Sequence, residues 1–172
     1  MKYYICQLIF KKDAVFILQY EDETNGVKME DSQLVYVYNI PPLLQYGELK
    51  NLLIDSNSIT QYEDLDFNEL ESWLEKPHAT ISCEYFLNLW NILIDTLASQ
   101  NDPSLFLDLA EDEDGILIYN KLFWGANLPE YTPPGKIHIS DWQLADISNL
   151  QAIFKSGLEE LKVVILNGLE LQ

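Results

Sequence analysis

The chain contains no arginine, and its ten lysines stand against 28 acids for a net charge of −18. Nucleic-acid binding rests on Lys and Arg neutralising phosphates, so such a surface repels DNA and RNA. The missing guanidinium also removes the usual bidentate clamp for phosphate or carboxylate groups, which makes anionic metabolites poor substrates. An anionic membrane is repelled in the same way. Histidine and cysteine are scarce too, with two of each. Zinc needs about four Cys or His ligands, or an HExxH pair on one helix face, and neither pattern is present. His78 and His138 lie in no catalytic motif, and Cys83 sits on a helical apolar stripe rather than beside a base. Cys6 and Cys83 read as reduced core thiols. Long apolar runs are absent: no stretch approaches the about 18 residues of a membrane span, and "MKYYICQLIF" lacks the cleavage pattern of a signal peptide. These absences predict a cytoplasmic, soluble protein with no cofactor and no metal.

What is present suffices for one globular domain over residues 1–172, since a chain of this size buries about 70% of its unfolded surface. The β-rich runs "KYYICQLIF", "AVFILQY" and, after an "ETNG" turn, "QLVYVYNI" predict an antiparallel meander. Pro41 and Pro42 end it and open a helix through "LLQYGELKNLLID". Asp66 and Glu69 make a capping-box start for "FNELESWLEK", stopped by Pro77. Cys83, Phe86, Leu87, Trp90, Leu93, Ile94 and Leu97 recur at helical spacing. "GILIYNKLFW" reads as helix between Gly115 and Gly125. A long C-terminal helix is predicted from a Ser140–Gln143 capping box with Ile139 and Leu144 as its hydrophobic staple, and Ile147, Leu150, Phe154, Leu158, Leu161 and Ile165 mark its inner face. The fold class is α+β: an N-terminal antiparallel meander packed with several helices.

The acids are uneven. Residues 51–120 carry fifteen acids and one lysine, whereas each flanking third is nearly balanced. "AEDEDG" resembles the front of a calcium loop, yet aligning Gly115 with the turn glycine puts Ala110 at the first ligand position and Lys121 at the last. The plain reading of this run is a solvated turn or acids at a helix N-terminus, where the dipole favours them. The functional reading is a binding surface, because "QYEDLDFNELE" and "AEDEDG" interleave acids with aromatic and aliphatic residues. Carboxylates steer a basic partner, and the apolar groups supply desolvated anchors. The partner-binding residues expected on this chemistry are Tyr62, Glu63, Asp64, Asp66, Glu69, Glu111, Asp112, Glu113 and Asp114, with Trp124 and Tyr131 at the apolar edge.

The stretch "LFWGANLPEYTPPGK", through Phe123, Trp124, Gly125, Asn127, Leu128, Pro129, Thr132, Pro133, Gly135 and Lys136, resembles one in small acidic bacterial proteins akin to immunity proteins of polymorphic and contact-dependent-inhibition toxin systems. The resemblance implies a non-catalytic antitoxin that binds a cognate basic toxin domain, for instance a nuclease, and blocks its active site or substrate groove. The alternatives are a small hydrolase with a carboxylate pair near Trp124 and Tyr131, and a non-catalytic adaptor domain. Locally, the same stretch reads as a stiff connector with Trp124 and Tyr131 packed on the core, delivering Ile139 and Ser140 to the last helix.

Overall fold

The computed structural model describes residues 2–11, 13–21, 25–27, 29–30, 33–38, 59–100 and 102–170. Strands β1 (Lys2–Phe10), β2 (Asp13–Glu21), β3 (Asn25–Val27), β4 (Met29–Glu30) and β5 (Gln33–Tyr38) come first, then β6 (Ile59–Asp66). Five helices follow: α1 (Phe67–Glu75), α2 (Cys83–Ala98), α3 (Leu105–Glu111), α4 (Glu113–Gly125) and α5 (Leu144–Leu166), with a short β7 (Leu169–Glu170) after them. The fold is α+β. The helix expected through "LLQYGELKNLLID" lies outside the described residues.

The sheet runs β4-β5-β2-β1-β6, with β3 also on β2 and β7 on β5. β1, β2 and β5 form the expected antiparallel meander, but the sheet as a whole is mixed, because β6 is parallel to β1 and β7 parallel to β5. Asn25 and Gly26, expected in a turn, instead begin β3 and pair with Glu21 and Tyr20. In the β1–β2 register Cys6 faces Ile17 and Leu8 faces Val15, and these four belong to the core shared with the helices. The alternate residues Ile5, Phe16 and Leu18 are buried as well, on the opposite face. Burial on both faces is why these strands read as continuous apolar runs rather than as alternation.

The helices pack around α2, whose Phe86, Leu87, Leu89, Trp90, Ile92, Leu93 and Leu97 are buried. Aromatic edges join the layers: Phe86 meets Trp73 of α1 at 5.0 Å and Phe154 of α5 at 5.1 Å, and Trp90 meets Phe106 of α3 at 5.9 Å and Tyr119 of α4 at 5.7 Å. Each such edge-on or tilted pair adds about 0.5–1.5 kcal/mol beyond the area it buries. Gly157 lets α5 close on this cluster, since a Cβ there would lie 2.7 Å from the Phe106 ring and 2.8 Å from Leu93. Cys6 is buried, Cys83 is half-buried, and neither is in a disulfide. No helix among the described residues is long and apolar enough to cross a membrane.

The start of α5 differs from expectation. Its N-cap is Gln143, and Asp146 reaches back to accept from the Gln143 backbone N–H at 2.8 Å. Ser140 is diverted to donate to the Lys121 carbonyl at 2.6 Å, so it caps nothing. Ile139 and Leu144 are 86% and 88% exposed, which rules out the staple. Two overlapping capping patterns compete here, and the tertiary contact of Ser140 decides between them.

Candidate interaction surface

The two acidic stretches fold into different elements. Tyr62, Glu63, Asp64 and Asp66 lie in β6, paired in register with Ile5, Cys6, Gln7 and Ile9 of β1. Among the described residues this acid-rich stretch is therefore an edge strand of the sheet. The side chains of Tyr62 and Glu63 lie outside the described residues; Asp64, Asp66 and Glu69 are exposed. Asp66 also has a local task as N-cap of α1, accepting from the Asn68 backbone N–H at 2.8 Å. Exposed charge on an edge strand discourages pairing with another sheet, which gives these acids a structural reason of their own.

Glu111, Asp112, Glu113 and Asp114 sit where α3 turns into α4. One residue separates the two helices: Asp112 ends α3 and caps α4, its carboxylate accepting from the Gly115 N–H at 2.7 Å. So sharp a joint needs glycine at 115, because a Cβ there would overlap the Leu109 carbonyl oxygen and lie 2.7 Å from that of Ala110. Four consecutive acids are thereby held, all exposed, at the N-terminus of α4. The plain reading holds for the backbone of "AEDEDG", since these are acids at a helix N-terminus.

Beyond them, α4 is apolar on two sides. Gly115, Ile118 and Leu122 point inward and are buried. On the outer side, Glu113, Ile116, Leu117, Asn120 and Trp124 are exposed, with 113, 117, 120 and 124 at three- and four-residue steps and Ile116 beside Leu117. Ile116 is 51% exposed, Leu117 59% and Trp124 49%. Tyr131 extends this side: its ring meets Phe123 at 5.1 Å, and Phe123 meets Trp124 at 5.2 Å. Tyr131 is 59% exposed, so neither it nor Trp124 is the core packing expected of the connector. The reason is direct: α4 turns Ile118 and Leu122 to the core, and Trp124, two residues past Leu122, points away.

The connector that carries Tyr131 is pinned at both ends. Asn127, at a left-handed φ of 52°, donates to the carbonyls of Gly125 and His138 at 2.9 Å each and accepts from the His138 N–H at 2.6 Å. At the far end, Lys121 donates to the Asp141 carbonyl at 2.9 Å and pairs with Asp146 at 2.5 Å. Partial burial alone would raise the Asp146 pKa, but the Lys121 hydrogen bond, the Gln143 N–H and the lysine charge outweigh it and hold the carboxyl below its usual range. Lys121 also stands 5.9 Å from the Trp142 ring centre. The apolar side of α4 is therefore fixed in place by its own loop.

Cys83 lies behind this connector. Burial pushes its thiol pKa up against the opposing hydrogen bonds of Trp142 and Ser140, the reverse of an activated nucleophile. His78 and His138 are both exposed, and their backbone atoms hydrogen-bond with Trp73 and Asn127 respectively. Among the described residues no three His, Cys, Asp or Glu side chains converge as a metal-ligand set.

Of the expected binding residues, the structure places Asp112, Glu113, Asp114 and Trp124 on α4 or at its cap, Glu111 at the adjoining end of α3, and Tyr131 beside them. It leaves the β6–α1 residues on a separate element, where α1 packs on β1 and α5. Ile116 and Leu117, exposed on the same side of α4, are not among the expected residues. Their signal was present, because "GILIYNKLFW" carries more apolar residues than one face of a helix can bury. No protein-family model, curated protein or solved structure matches this chain.

Proposed function

We propose that the chain is an immunity-type antitoxin that binds a basic protein toxin domain through the outer side of α4. The observation that carries this reading is the row Ile116, Leu117 and Trp124, half-exposed on one helix face, with Glu111–Asp114 at its end. Exposed aliphatic and aromatic groups beside a rim of like charge have the anatomy of a hot spot with its steering charges. The chain's net charge of −18 and lack of arginine direct it to a cationic surface such as a nuclease groove. Inhibition follows from occupancy: a carboxylate-rich helix end in a phosphate-binding groove excludes the nucleic acid by charge and by volume.

The experiment is reconstitution with the basic toxin domain encoded beside the chain, read by complex formation and residual toxin activity. A stable complex with lost toxin activity is expected, and Trp124→Ala combined with Ile116→Ser should weaken it about 100-fold, or about 2.7 kcal/mol. Undiminished toxin activity with no complex would sink the proposal.

A further inference from the structure

A second feature lies where the end of α2, the start of α3 and the last turns of α5 meet. There a cleft of about 320 Å³ is lined by the apolar Leu97, Pro103, Val163 and Val164. Asp102, Glu159 and Glu160 line it as well. Asp102 and Glu159 are exposed, but Glu160 is built in: its Oε1 accepts from the Phe106 N–H at 2.9 Å and from Ser156 Oγ at 2.8 Å. Both bonds hold the carboxylate in one orientation at the N-terminus of α3. Among the described residues no lysine pairs with Glu160, since the ion pairs there are Lys121–Asp146 and Lys162–Glu71.

We infer that this cleft binds an alkylammonium group, its methylenes against Leu97, Pro103, Val163 and Val164 and its ammonium at Glu160, with Asp102 and Glu159 completing the acidic lining. A neutral apolar occupant would strip water from a fixed carboxylate without replacing its hydrogen bonds, which is costly. A bare inorganic cation would gain nothing from the apolar lining. A chain that is apolar along its length and charged at its tip satisfies both, as long lysine side chains do at protein surfaces. The site is independent of the α4 face. Two sources present this chemistry, the lysine side chain of a protein and a free polyamine.

The test is an amide-resolved NMR titration of the intact chain with n-hexylammonium, with n-hexanol as the neutral control. Saturable shifts at Leu97, Asp102, Val163 and Val164 are expected with hexylammonium, at least tenfold tighter than with hexanol. Glu160→Gln keeps an acceptor oxygen for Phe106 and Ser156 while removing the charge, and should weaken hexylammonium binding about tenfold. If that variant folds poorly, Asp102→Asn with Glu159→Gln, both on exposed positions, tests the same charge. Parallel titrations with an N-acetyl-lysine amide and with spermidine then separate the two sources by which binds more tightly. Equal binding of hexanol, no saturable shift at the cleft, or unchanged affinity in the charge variants would overturn the assignment.

Discussion

Asp95 is a carboxylate that the sheet and α2 bury between them. It is 7% exposed, and Gln19 of β2 donates to it while accepting from the Cys6 thiol at 3.3 Å. Burial raises its pKa, and the Gln19 amide only partly opposes that shift. The native state therefore holds a proton more firmly than the unfolded chain does. Stability from this group is complete below the ordinary carboxylate pKa and is lost as pH rises through the raised native value. Asp95→Asn keeps an acceptor for Gln19 and cannot ionise. In urea unfolding between pH 4 and 8, the variant should gain on the parent as pH rises and be at least as stable at pH 8. Parallel curves would mean that Asp95 is solvated in the folded chain. Nothing in the residue pattern marked this aspartate, because that helix reads only as an apolar stripe in which Asp95 has no place.

At the scale of elements, the α3–α4 joint is the point where one atom matters most. Gly115→Ala puts a methyl group onto the carbonyls that close α3, so the helices must part or the joint unwind. A loss of about 2 kcal/mol, seen as a lower thermal midpoint, is expected from overpacking of this kind. A variant as stable as the parent would show that the joint has room to spare. The Asp66 cap was legible, and the acids of "AEDEDG" were readable as a helix N-terminus, although Asp112 was not singled out as its cap. Also legible were β1, β2 and β5, whose apolar runs are long and β-branched. β6 was not, because "ITQYEDLD" is polar and earns its place by pairing with β1 more than fifty residues earlier. Local pattern cannot report a pairing that distant. α3 escaped notice because its seven residues are too few to show a period, although Pro103 and Ser104 signal its start. The apolar outer side of α4 was readable as an excess of hydrophobic residues, yet which side faces solvent depends on how α2 and α5 pack against it.

Over the whole molecule, the question is why four acids stay together on a chain already at −18. The helix dipole rewards Glu113 and Asp114 in the first turn of α4 by about 0.3–1 kcal/mol each. Against this, two charges about 8 Å apart in water repel by about 0.5 kcal/mol, and every pair among Glu111, Asp112, Glu113 and Asp114 contributes, with the rest of the acidic surface adding to it. Repulsion therefore exceeds the dipole gain in low salt. Replacing Glu111 and Glu113 by Gln and Asp114 by Asn, with the cap Asp112 retained, should raise stability by about 1 kcal/mol at low ionic strength. That gain should shrink toward zero near 1 M salt, where the Debye length falls to about 3 Å. Thermal unfolding of parent and triple variant across a salt series reads both effects. The same variant should bind a cationic partner more slowly, with its association rate losing most of its salt dependence and its dissociation rate changing little. A triple variant less stable than the parent at low salt would assign these acids to the helix alone. A gain in stability with a loss in association rate would mean that the cluster is maintained against folding and in favour of encounter, the balance expected of a surface whose charge is completed by another molecule.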